Sequence, residues 1–148
     1  MMSRLFRFLT VGLILGGATV LLAASDAAPK YGCELLTAYV PMATALAADD
    51  LKTAQTAGVE LAKLAEADGM TGIVARAKEF VAAPDIMKAR TVFKALSDDI
   101  EPLTVTEKNV TVMHCPMARA SWVQPTGPVA NPYYGKSMLR CGAPKVKP

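Results

Sequence analysis

The chain has a single histidine, His114, and only three cysteines, none of them in a Cys-x-x-Cys pair. That spacing carries the chemistry of thioredoxin-like oxidoreductases, and without it the class has no support. A His-Glu-x-x-His run, a phosphate-binding glycine loop, a dinucleotide fingerprint and a serine in a nucleophile elbow are also missing. The familiar signatures of hydrolysis, phosphoryl transfer and hydride transfer are therefore absent. Asp49, Asp50, Asp98 and Asp99 fall where helices should end, and capping or solvation accounts for them. The reading is of a protein that is not an enzyme. No basic stripe interrupts a formal net charge of +3, and Lys145 and Lys147 read as a solvated tail. Nucleic-acid binding thus lacks its electrostatic footprint. No internal repeat is strong enough to use.

The beginning of the chain is more telling. Arg4 and Arg7 precede an apolar run from Leu13 to Leu22, and small residues Ala23, Ala24 and Ser25 follow. This is the pattern of a secretory signal peptide, with cleavage expected after Ala24 and residues 1–24 removed. The run is short of the ~20 residues a spanning helix needs, and no cysteine beside it offers a lipid anchor. The expected product is periplasmic or secreted, without stable membrane insertion. It has about 124 residues and a formal charge of about +1, enough for one domain with a modest core.

Apolar spacing then predicts four helices. Leu35, Tyr39, Met42 and Leu46 mark an amphipathic helix over about 33–48, which Pro41 should kink or delay. Asp49 and Asp50 break it and offer an N-cap. Leu51, Ala54, Gly58, Leu61 and Ala65 line the second helix, which should stop near Asp68-Gly69. Met70, Ile73, Ala77 and Phe80 mark a third, ended before Pro84. With Asp85 as cap, Ile86, Ala89, Phe93, Leu96, Ile100 and Leu103 give the cleanest spacing, and Pro102 closes it. The expected fold is mainly α: an antiparallel bundle of about four helices, then a short strand and an ordered Pro/aromatic-rich C-terminal loop. Val110, Val112 and His114 alternate with Thr111, Met113 and Cys115 as in a strand. Beyond it, Pro116, Pro125, Pro128 and Pro132 rule out a helix and predict an ordered loop or short hairpin.

That segment carries the chemistry. Cys115 and Met117 stand two apart, Met138 and Cys141 three apart, with Trp122 between the two groups. Thiolate and thioether donors suit Cu(I) or Ag(I) better than oxygen-loving cations, and the thioethers argue against Zn. In an extended Cys-Pro-Met run Cys115 and Met117 share a face; in a helical turn Met138 and Cys141 do. His114 is an optional fifth ligand, although strand alternation points it away from Cys115. The same two cysteines suit a disulfide in an oxidising compartment. It would close a loop of about 25 residues, be worth roughly 3 kcal/mol, and leave Cys33 over. Both readings stand at this point, the second making the chain a disulfide-stabilised structural or protein-interaction module with no physiological metal. Trp122, Tyr133 and Tyr134 should pack the loop on the helices, and Asn131-Pro132 with Gly135 reads as turn chemistry.

Cys115-Pro116-Met117, Trp122, Asn131-Pro132-Tyr133-Tyr134-Gly135, Met138-Leu139 and Cys141-Gly142 together resemble the DUF3347 domain family. Leu46, Asp50, Ala54 and the Asp85 to Leu96 stretch resemble its helices. Residues 31–143 would then form a single DUF3347-like domain, helical over 33–103 and motif-bearing over 104–143. Two departures are Ala120-Ser121, where members usually carry Gly-Ala before the tryptophan, and the lack of any adaptor hairpin or barrel. The domain also occurs fused to periplasmic adaptors of copper/silver efflux systems. The resemblance therefore implies a stand-alone exported member that handles a soft metal, with a heavy-metal efflux adaptor or pump as partner.

Overall fold

The computed structural model describes residues 33–145; the expected signal segment 1–24 and Lys147 of the expected solvated tail lie outside them. Among the described residues four α-helices precede a small antiparallel sheet. Helix α1 is Leu35–Ala47, α2 Leu51–Ala67, α3 Thr71–Val81 and α4 Ile86–Ile100. Each packs on the next in the chain. A 3-10 turn at Glu101–Thr104, with Pro102 at its start, ends α4 as the sequence implied.

Local chemistry sets these boundaries. Asp50 caps α2 by accepting the Thr53 N–H at 3.0 Å, and Asp85 caps α4 by accepting the Lys88 N–H at 2.8 Å. Helices α1 and α2 both close in Schellman fashion. In α1 the Asp50 N–H reaches Ala45 O and the Asp49 N–H reaches Leu46 O; in α2 Met70 and Gly69 reach Ala65 and Glu66 in the same way. The left-handed residue is Gly69 in one case and Asp49, at φ 62°, in the other.

Pro41 neither delays α1 nor ends it. Thr37, Pro41 and Thr44 form a narrow exposed stripe on a helix otherwise buried almost all round. Water can solvate the Thr37 carbonyl that proline leaves without its amide, so the lost bond is tolerated. The expected two-sided character of α1 is corrected accordingly: α2 covers one side and the sheet the other.

The C-terminal part holds more strand than one. Strand β1, Val110–Cys115, pairs with β2, Ala120–Pro125, in a hairpin; β3, Ala143–Pro144, adds to the opposite edge. Met113 faces Trp122, and Cys115 faces Ala120. Strand β2 escapes alternation because it packs on both α1 and α4, with every residue before Pro125 buried.

A polar knot ties sheet to helices. The Tyr39 hydroxyl lies 2.7 Å from Ser97 Oγ and accepts the Val123 N–H of β2 at 3.3 Å. Tyr133 donates to the Ser121 carbonyl and meets Ser97 Oγ at 3.2 Å. Burial pushes both phenols well above their ordinary ionisation range, so they act only as neutral hydrogen-bonding groups. Around them Phe93 stacks on Tyr39 with centroids 5.1 Å apart, and Trp122 meets Tyr133 edge-on at 5.9 Å. Trp122 and Tyr133 therefore pack as their positions suggested, while Tyr134 stays half-buried.

Candidate functional site: a thiol pair at the end of the hairpin

Cys115 is the last residue of β1 and is fully buried; Cys141 follows a turn and is partly exposed. Their sulfurs lie 2.9 Å apart and both thiols are free. A closed disulfide needs about 2.05 Å. Two sulfurs sharing one ion, with bonds near 2.3 Å as for zinc, stand up to about 4.6 Å apart. The observed gap lies between these limits, within about 1–2 Å of either state.

Cys141 is held in place by its neighbours. Its N–H donates to the Met138 carbonyl at 3.0 Å, which makes residues 138–141 one turn. Its carbonyl accepts the Asn131 side-chain amide at 2.7 Å. Asn131 is fully buried, and its Oδ1 also accepts the Tyr133 N–H at 2.8 Å. The Asn-Pro turn seen in the sequence thus has a second task, fixing the Cys141 backbone, that its sequence context did not reveal.

The loop is in turn fastened to the helices. Arg90, almost wholly buried in α4, donates to Pro132 O at 2.7 Å and to Leu46 O at 2.8 Å. Its Nη2 also pairs with Asp49 Oδ1 at 2.6 Å, and Asp49 Oδ2 accepts the Lys136 N–H at 3.1 Å. Nothing in the sequence spacing marked Arg90; a cation among the apolar positions of α4 was the available signal.

The two thiols are not equivalent. Burial works against the Cys115 thiolate, but hydrogen bonding from Cys141, the Ala118 N–H, the Asn131 amide and the Met117 N–H outweighs it and lowers the pKa. Cys141, as the partner that keeps the proton beside Cys115, is raised, and desolvation adds to this. Cys115 is the sulfur that carries negative charge first.

The other expected ligands divide. Residues 116–119 form the hairpin turn, with Arg119 at φ 48°, so Cys115 and Met117 do not share an extended face as expected. The turn leaves the Met117 side chain 63% exposed, and Met138 is 37% exposed. The Met117 N–H nonetheless reaches the thiols, while the Met138 carbonyl holds the Cys141 backbone. His114 faces the other side of the strand, exposed, with Nδ1 3.3 Å from Ser121 Oγ. Among the described residues, no three of His, Cys, Asp and Glu gather about one point. Cys33 stands apart from the pair as a third free thiol, packed against the core near the start of α1.

A family model described as "Protein of unknown function (DUF3347)" matches residues 35–111. The match runs from α1 into β1 and stops before Cys115, so it rests on the helical part and not on the sulfur-bearing motifs. No curated protein and no solved structure matches the chain.

Proposed function

The chain belongs to the DUF3347 family, and from that footing we propose that it binds a soft monovalent metal ion, Cu(I) or Ag(I), between Cys115 and Cys141. The observation that carries this reading is the convergence of the two free sulfurs at 2.9 Å. Zinc normally takes four donors from Cys, His and carboxylate, whereas among the described residues no third such donor joins the pair. A soft ion is satisfied by two thiolates, and thioethers can supplement them. The exposed Met117 and Met138 are suited to meet the ion first, and His114, on the opposite face, is left out of the set. The lowered pKa of Cys115 favours the thiolate a metal requires.

The protein would act as an exported, non-enzymatic carrier in the periplasm or outside the cell. It would pass its ion to a heavy-metal efflux adaptor or pump, a partner taken from the company this domain keeps. The four helices, joined by short connections, we read as an antiparallel bundle that serves as the frame for the loop.

A second reading rests on the same distance. If the sulfurs close by about 0.9 Å they form a disulfide, and the pair becomes a staple between β1 and the loop without physiological metal. Anaerobic Cu(I) titration of the reduced mature protein against a competing chelator separates the two. Tight one-to-one binding that is lost in Cys115→Ser supports the metal; no competition by the wild-type protein leaves the staple.

A further inference from the structure

The thiol pair carries a chemistry that stands whether or not it holds a metal. Cys115 is 0% exposed, whereas Cys141 opens partly to solvent, so a reagent arriving from outside meets Cys141 first. The sulfurs, 2.9 Å apart, are in hydrogen-bonding contact, and either can be the donor. Asn131, itself fully buried, grips the Cys141 carbonyl at 2.7 Å and keeps that sulfur over Cys115. The pairing spans 26 positions, so it is a dithiol made by the fold without a Cys-x-x-Cys motif.

We propose that Cys141 and Cys115 form a thiol–disulfide exchange site for low-mass disulfides, with Cys141 the outer attacking thiol and Cys115 the resolving thiol. In the first step the Cys141 sulfur bonds to one sulfur of an external disulfide, RSSR; the S–S bond of RSSR breaks, and the departing sulfur takes the Cys141 proton and leaves as RSH. In the second, the Cys115 sulfur bonds to Cys141, the mixed disulfide breaks, and the second sulfur takes the Cys115 proton and leaves as RSH. The protein loses two electrons and gains one disulfide; RSSR gains them and leaves as two RSH. The closing movement is only about 0.9 Å.

The test uses the reduced protein with Cys33→Ser, oxidised glutathione as the probe, acid quenching, and mass spectrometry of adducts and remaining thiols. The intact pair should lose both thiols without accumulating an adduct. Cys115→Ser should retain glutathione on Cys141, and Cys141→Ser should form an adduct at least about tenfold more slowly, since its one thiol is buried. Equal adduct rates in the two variants, or a wild-type pair that stays reduced, would overturn the proposal. Because Cys115→Ser alters a buried position, alkylation of the unsubstituted pair gives an independent reading: Cys141 must be labelled before Cys115, and the reverse order overturns the assignment. Cu(I) titration of the same preparation keeps the two ideas apart, since retained metal binding with failed exchange removes this one alone.

Discussion

A side chain at Gly135 would overlap the carboxylate of Asp49, which presses against the glycine while it bonds Arg90 and the Lys136 N–H. Gly135 is also left-handed, at φ 55°. This contact fastens the motif-bearing loop to the end of α1. Gly135→Ala should therefore both strain the backbone and push the Asp49–Arg90 pair apart. A loss of about 2–4 kcal/mol is expected in urea unfolding. A change below about 0.5 kcal/mol would mean that the loop is not anchored there.

The same latch predicts an acid response. Hydrogen bonds from Arg90 and from the Lys136 N–H hold the Asp49 pKa below its ordinary value of 3.8, and bonds from Thr53 do so for Asp50. A carboxyl lowered in the folded state adds stability that is complete above its unfolded pKa and is lost as pH falls through the folded one. Urea midpoints should therefore fall on acidification below about pH 4. Asp49→Asn should flatten part of that slope. An unchanged slope in the variant would assign the acid response to other groups.

Metal affinity should sort the sulfur residues by position. In the proposed site Cys115→Ser and Cys141→Ser would each remove one of two principal donors, and the chelator-competition constant should fall by about 100-fold or more. Met117→Leu and Met138→Leu should cost no more than about tenfold, because in that proposal their exposed thioethers only supplement the thiolates. His114→Ala should leave affinity unchanged. A large His114 effect would require a site on the other face of β1.

Tyr39→Phe offers a probe of the core. It removes the acceptor of the buried Val123 N–H and one of the partners of Ser97 Oγ, which keeps Tyr133 and the Phe93 carbonyl. A loss of about 1–3 kcal/mol follows from leaving the Val123 N–H unpaired. Hydrogen exchange at the Val123 amide should accelerate more than at amides in the middle of α2. Uniform acceleration would place the effect in global stability alone.

Asp85→Ala tests a local device by itself. The carboxylate accepts the Lys88 N–H at 2.8 Å at the start of α4, and losing such a cap costs about 1 kcal/mol. Thermal unfolding followed by circular dichroism measures it. The loss should be additive with that of Tyr39→Phe, since the two residues share no hydrogen-bond partner.

The helices were readable because their causes are local. Apolar residues recur with the helical period, Asp50 and Asp85 cap, Gly69 turns left-handed, and each acts within a few residues of itself. Strand β1 was readable for the same reason: one covered face imposes alternation, which buried Met113 and Cys115 and exposed His114. Strand β2 was hidden because burial on both faces erases that alternation, and β3 is only two residues long. Met117 left its expected place because the chain turns at Pro116, where an extended run was assumed. Cysteine types and spacing suggested that Cys115 and Cys141 belong together, but only the tertiary fold brings their sulfurs to 2.9 Å across 26 positions. That approach depends on Asn131 holding Cys141 and on Arg90 bridging 41 positions to Asp49. Periodicity records what each residue does to its neighbours along the chain; such long closures arise only when the helices are packed and the loop has somewhere to dock.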